Sequence, residues 1–240
     1  SIKVHVPGAC PCGSACSRVR VSIVGFDDGS ETDRRLDGNA AARINSDLTA
    51  GTDLTAAQRL LENRGLCYQG VVRLGPFDID ADTARRMMAE HGNPNGRPNS
   101  DVVRPISNGH DVMQRAAQRY IIDFGADTPI DQAAQYEMPF EYVVQHVKPY
   151  REKSRSAVRD ARWWLHLWPR PELRRAIAHL PRYLVTPAVS KHRVFAWLTS
   201  DVVPDVKLFA FARADDYFMG VLQSTTHTLW TLRTCSWQGV

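Results

Sequence analysis

No run of apolar residues in this 240-residue sequence approaches the roughly 18–20 needed to span a membrane as a helix. The start, Ser1-Ile-Lys-Val-His-Val-Pro, lacks the apolar core of a signal peptide. There is no initiator Met, so the chain is expected to be a piece of a longer protein. Cysteine is scarce and odd in number, with five residues in all, which argues against a disulfide framework and for a cytoplasmic setting. Catalytic signatures are missing too. No H-E-x-x-H, P-loop, G-x-S-x-G or G-x-G-x-x-G occurs.

Three partial motifs also fail on inspection. Asn93-Pro-Asn-Gly96 has neither the second proline nor the aromatic with which amino-methyltransferases hold a flipped base, so it reads as a turn. Pro204-Asp205 with Lys207 overlaps where a metal-dependent nuclease needs acids on two successive strands. Asp78, Asp80 and Asp82 begin like a calcium loop, but Thr83 and Ala89 stand where glycine and glutamate are required. Cys10, Cys12 and Cys16, near His5, have the ligand chemistry for zinc. Their C-x-C-x3-C spacing matches no two-plus-two pattern, so reduced thiols are expected and no metal is assigned.

What is present is a globular composition, 43% hydrophobic and 23% charged, enough to build a core. The net charge of +4 hides a strong division. Residues 145–193 carry 12 Lys or Arg against Glu152, Asp160 and Glu172, a net of +9, and leave the remainder at −5. A basic stripe on a near-neutral body is the mark of a polyanion partner, although a solvated helix face gives the same count. Arginine predominates over lysine, and its planar fork suits phosphate or guanine.

The expected order of elements is mixed α/β. A strand is read over 18–26, a helix over 53–63 closed by Gly65, strand-like chain over 66–78, and a helix over 80–90. Residues 91–105 are loop chemistry, and Asn108-Gly-His-Asp111 reads as a turn. A strand over 119–124 precedes a long helix over 131–159, with Pro149 expected to break or kink it. The aromatic segment Arg162-Trp-Trp-Leu-His-Leu-Trp168 reads chiefly as a core strand, with base stacking as the rival reading. A short helix over 171–180, a hairpin over 182–197, a strand over 206–212 and an apolar helix over 215–233 complete the chain.

The hairpin connector carries Ser190, Lys191, His192 and Arg193. Lys191 and Arg193 lie two apart, so on one strand they would share a face and reach together into a major groove. The bland alternative is an exposed salt-bridging pair.

Several stretches together resemble one family. They are His91-Gly-Asn-Pro-Asn-Gly-Arg-Pro-Asn-Ser-Asp-Val-Val-Arg-Pro, Tyr120-Ile-Ile-Asp-Phe-Gly, Tyr136-Glu-x-Pro-Phe-Glu-Tyr-Val and Val147-Lys-Pro-x-Arg. Further on come Arg162-Trp-Trp-Leu-His, Arg182-Tyr-Leu-Val-Thr-Pro-x-Val-Ser-Lys-His-Arg-Val-Phe-x-Trp and Asp216-Tyr-Phe-x-Gly-Val-Leu-x-Ser. From about Val19 onward the chain is similar to the C-terminal part of MmeI-like DNA methyltransferases, the type IIG/IIL restriction-modification proteins. Residues 1–17 do not share the resemblance.

The resemblance implies a target recognition domain over 91–240, preceded by a connector over 18–90 that closes a methyltransferase region, with 1–17 a tail. It implies double-stranded DNA and the parent's methyltransferase domain as partners. S-adenosylmethionine belongs to the parent enzyme, an adenine-N6 methyltransferase with or without a nuclease. No cofactor and no catalytic residue is assigned to this stretch. Base contact is expected from Ser190, Lys191, His192 and Arg193. Phosphate contact is expected from Lys148, Arg151, Lys153, Arg155, Arg159, Arg162, Arg174, Arg175 and Arg182. Asn95, Arg97 and Asn99 are expected in a loop offered to DNA. Two rivals stand beside this reading: a self-contained DNA-modifying enzyme, and a docking domain that binds DNA weakly.

Overall fold

A computed structural model of the chain describes residues 2–3, 24–25, 28–30, 32–46, 48–54, 57–114, 118–154 and 162–235. The strand expected over 18–26 lies almost wholly outside them, as do His5, Cys10, Cys12 and Cys16. The described residues divide into two compact units, one within 1–61 and 230–240, the other Glu62–Leu229.

The first unit holds three two-residue strands, β1 (Ile2–Lys3), β2 (Arg35–Leu36) and β3 (Asn39–Ala40), in the order β1-β2-β3. Asp37 and Gly38, both at positive φ, turn β2 into β3. The helix expected over 53–63 is corrected: among the described residues only a single 3₁₀ turn, Leu61–Asn63, forms. Leu60 and Leu61 are exposed, and helical propensity alone rarely sustains so short a helix.

The second unit is mixed α/β, two small sheets with flanking helices. β4 (Cys67–Gln69) and β5 (Asp78–Ile79) precede α1 (Ala81–Ala89). α1 starts where the sequence places it, because the Asp80 carboxylate accepts from the Thr83 N–H at 2.8 Å. β6 (Val103–Ser107) leads into α2 (Gly109–Met113). The expected turn at 108–111 is instead the start of this short helix, because Asn108 and Asp111 form a reciprocal capping box. β7 (Tyr120–Ile122) matches its expected strand.

Among the described residues, the long helix expected over 131–159 is two, α3 (Ile130–Ala133) and α4 (Glu137–Glu152), and residues 155–159 lie outside them. The break comes at Tyr136, whose ring is buried against Phe124, and not at Pro149, which sits inside α4. Pro149 is exposed in the closing turns of α4, where the one hydrogen bond it removes does not end the helix. The Asn93 side chain accepts the Glu137 N–H at 3.2 Å and caps α4 from across the chain.

α5 (Pro171–Ile177) has proline at its first position, as read. β8 (Arg182–Pro187), β9 (Ala196–Thr199), β10 (Val203–Pro204) and β11 (Leu208–Phe211) follow. The apolar helix expected over 215–233 is α6 (Asp216–Gln223) and α7 (Thr225–Thr234), parted at Ser224. Ser224 takes extended backbone, and its hydroxyl accepts the His227 N–H at 3.1 Å, which starts a new helix.

One sheet runs β10-β6-β7-β5 and the other β4-β11-β8-β9. Strands on both sides of residue 90 pair within each, β5 with β7 and β4 with β11. β8 is covered on both faces. Tyr183 and Val185 pack with Leu173, Ile177 and Leu208, whereas Leu184 packs with Phe195 and Leu222. Alternation of side chains across a strand explains this split, and burial on both faces explains its unbroken apolar run.

The sheets meet where Gly70 and Val71 cross the β10–β11 connection. Gly70 N–H donates to Leu208 O and Val71 N–H to Pro204 O, both at 2.9 Å. Asp205, buried at this joint, receives Arg73 at 2.5 Å and the Lys207 N–H at 2.9 Å.

Candidate nucleic-acid interface

The β8–β9 ladder runs from Arg182 opposite Thr199 to Val185 opposite Ala196 and stops there. Beyond it Pro187 pairs with Leu208 of β11, and Ala188 N–H donates to Lys207 O at 2.8 Å. At the other end Phe195 is buried against Leu184 and Leu222. The connector 188–195 is therefore pinned at both ends, with Val189, Lys191 and His192 exposed between them.

Lys191 and His192 are exposed and Arg193 is half-buried. The Ser190 hydroxyl donates to His192 O at 2.5 Å and tightens the bend. Lys191 and Arg193 do not lie on a strand, so the shared face expected from their spacing is corrected to a loop. Val189, 66% exposed, sits at the edge of a cleft of about 430 Å³ lined also by Asn108, His110 and Lys207.

The basic segment is less uniform than its charge. Lys148, Lys153 and Arg175 are exposed, and Lys148 Nζ stands 5.6 Å from the centre of the Trp163 ring. Arg162 is exposed beside Asp127 at 3.3 Å. Arg155 and Arg159 lie outside the described residues. Arg182 stacks 3.9 Å over Trp197 and bonds Asp216 at 2.8 Å.

Arg151 is corrected outright: it is 1% exposed. It donates to Leu74 O at 2.6 Å, Arg73 O at 3.1 Å and Leu165 O at 3.0 Å. Burial lowers its pKa from the ordinary arginine value. Its guanidinium ties α4 to two loops and is not presented to a phosphate.

The expected core strand over 162–168 is an irregular turn, with a single bridge at Trp168. Trp163 and Trp164 do pack on the core, whereas Trp168 is 56% exposed beneath Arg170.

A second cleft, of about 520 Å³, brings Asn95, Arg97 and Arg174 together with Arg104, Gln132 and Gln135. Asn99, expected beside them, is corrected. It is buried, its amide bonds Met87 O at 2.8 Å and its oxygen accepts from Asn93 at 2.8 Å, so it closes the end of α1.

Arg97 pairs with Asp101 at 2.7 Å. Arg174 grips the buried Asp123, one nitrogen on each carboxylate oxygen at 2.9 Å, and is only partly available to a ligand. Burial alone would raise the Asp123 pKa. The Arg174 guanidinium, helped by His166 and the Gly125 N–H, outweighs burial and holds the carboxyl below the usual range. Behind Asp123, His166 is buried with Nε2 3.0 Å from Ile122 O and Nδ1 3.9 Å from the carboxylate. Burial lowers the His166 pKa more than Asp123 raises it.

The fold resembles part of MmeI, a type IIL restriction-modification enzyme solved in complex with DNA. The TM-score is 0.58 at 16% identity, over 89% of this chain and 26% of the MmeI chain. This chain thus spans about a quarter of MmeI. No protein-family model matches the chain, and no curated protein matches it.

Three sets of predicted residues remain accessible: the connector Ser190–His192 with Arg193, the exposed Lys148, Lys153 and Arg175, and the cleft with Asn95, Arg97 and Arg174; Arg162 and Arg182 stand apart, each paired with an aspartate. Sequence reading missed Arg104, Asp123 and His166. One signal was available: Asp123 and His166 are polar residues directly bordering apolar runs, where burial forces a partner.

Asp123 and His166 also set an acid response. A buried histidine with a lowered pKa refuses a proton that the unfolded chain accepts. Stability is then full above the unfolded value of 6.5 and declines as pH falls through it. Asp123 acts later, its contribution being lost as pH falls below the ordinary 3.8 towards its depressed value. In His166→Gln, urea midpoints should fall less than in the parent as pH drops below 6.5, with the later loss below the ordinary carboxylate value of 3.8 retained. Identical profiles would exclude His166 as the source. No helix among the described residues is long and apolar enough to cross a membrane.

Proposed function

We propose that this chain recognises a sequence in double-stranded DNA, as the target recognition part of a larger adenine-N6 methyltransferase of the type IIL restriction-modification kind. The observation that carries the reading is the cationic connector at 190–193, with Lys191 and His192 exposed between the anchors Pro187 and buried Phe195. The likeness of the fold to MmeI, which was solved with DNA, supports it. Lys191, His192 and Arg193 touch base edges. Arg and Lys to guanine is the commonest specific pairing, worth about 1–3 kcal/mol of discrimination.

Lys148, Lys153 and Arg175 hold phosphates and fix register without reading sequence. In the parent protein a methyltransferase domain supplies S-adenosylmethionine and the transfer chemistry. A catalytic role for this chain alone would show as a thermal shift with S-adenosylmethionine.

Binding-site selection from random duplexes, followed by salt titration, tests the reading. Arg193→Ala should change the preferred base at one position. Lys153→Ala should weaken all sequences alike and lower the slope of log K against log salt by roughly one. If Arg193→Ala weakens every sequence equally and shifts no preference, the connector does not read bases.

A further inference from the structure

The 520 Å³ cleft beside β6 and β7 carries unbalanced positive charge. Its two carboxylates, Asp101 and Asp123, are each matched by an arginine, Arg97 and Arg174. The third arginine, Arg104, makes no ion pair among the described residues. Its Nε donates to Asp201 O at 3.0 Å and one terminal nitrogen to Ser200 O at 2.8 Å. Those bonds fix the guanidinium plane without an ion pair and leave donors for an oxyanion.

Gln132 and Gln135 line the same volume. Neither side chain hydrogen-bonds another described residue. Each amide offers a donor and an acceptor side by side, the pairing that a base edge matches. The volume lies within the roughly 300–1,000 Å³ of small-molecule sites.

We propose that this cleft binds one nucleotide together with its phosphate. The phosphate lies against Arg104, and the base edge meets the half-buried Gln135 amide, with Gln132 beside it. The inference rests on the DNA reading above and adds a second contact to it. The same chemistry arrives from two sources, a nucleotide unstacked from a DNA strand or a free mononucleotide. Unstacking a base costs a few kcal/mol and least where it is already unpaired, so the sources can be separated.

The chain is titrated, with NMR detection, with dAMP, dCMP, dGMP, TMP and inorganic phosphate. It is also titrated with a duplex carrying one bulged nucleotide and with its fully paired counterpart. A free-nucleotide site gives saturable shifts of the Gln132 and Gln135 amides with at least one mononucleotide. A strand site gives tighter binding of the bulged duplex than of the paired one. In either case Arg104→Gln and Gln135→Ala should reduce that binding about tenfold. Arg104 also holds the β9–β10 turn, so Gln135→Ala keeps the test valid if Arg104→Gln fails to fold.

Phosphate binding as tight as any nucleotide, or undiminished binding in Gln135→Ala, overturns the proposal. So does the absence of any mononucleotide or bulge effect while the paired duplex still binds. Failure of the unmutated chain to bind the paired duplex overturns instead the reading on which it rests.

Discussion

Gly70→Ala should destabilise the second unit by about 3 kcal/mol or more, read as a fall in the urea midpoint at unchanged slope. A Cβ at Gly70 would fall well inside van der Waals contact of the Asp205 and Pro204 carbonyl oxygens. Those atoms are main chain and have no rotamer to yield. The Gly70 and Val71 amides hydrogen-bond into the same crossing, so any retreat lengthens the bonds to Leu208 O and Pro204 O. Gly109→Ala is the control, because its Cβ would meet Pro187 at an ordinary 3.4 Å. A midpoint shift at Gly70 no larger than at Gly109 would show that the sheets part easily at this joint.

Arg151→Met should be comparably damaging, about 3–5 kcal/mol. Methionine retains the apolar stem and removes every donor. Leu74 O, Arg73 O and Leu165 O then lose their partner in a place where water has little access. Each orphaned buried acceptor costs about 1–3 kcal/mol, partly relieved by local shifts. Denaturation measures that loss. Salt titration of DNA binding separates Arg151 from its basic neighbours: the slope should stay at the parental value in Arg151→Met under conditions where it folds, whereas Lys153→Ala should lower it by roughly one. A reduced slope in Arg151→Met would return Arg151 to the phosphate contacts.

Arg151 also shows why a charge count overstates an interface. The stretch 145–193 was legible as basic, but formal charge does not record where a guanidinium points. The helical stripe did hold the clue. Val143, Val147 and Arg151 recur at intervals of four and are all buried, so Arg151 continues the inward face of α4.

The hairpin at 182–197 was legible because its β-branched and aromatic strands are bounded by turn residues. The placement of Lys191 and Arg193 was not, since it depends on where the ladder ends, and that is set by Pro187 pairing with β11 and by Phe195 entering the core. α1 was legible through its own cap at Asp80, a local device. The caps on α4 from Asn93 and at the end of α1 from Asn99 are long-range, and no local pattern announces them. The stop signal at Gly65 promised a helix over 53–63, but a short helix also needs a surface to cover, and that surface is not written in the segment itself.

β8 is closed on both faces by neighbours that belong to other parts of the chain. Residues 188–193, which it carries, make no contribution to that closure. Stability and loop composition are therefore separable traits here. Substitutions in the connector, even changes of its length, can accumulate without unravelling the strand beneath, because loop closure penalises added residues only slowly. A lineage carrying this architecture is free to vary the connector while its scaffold stands still.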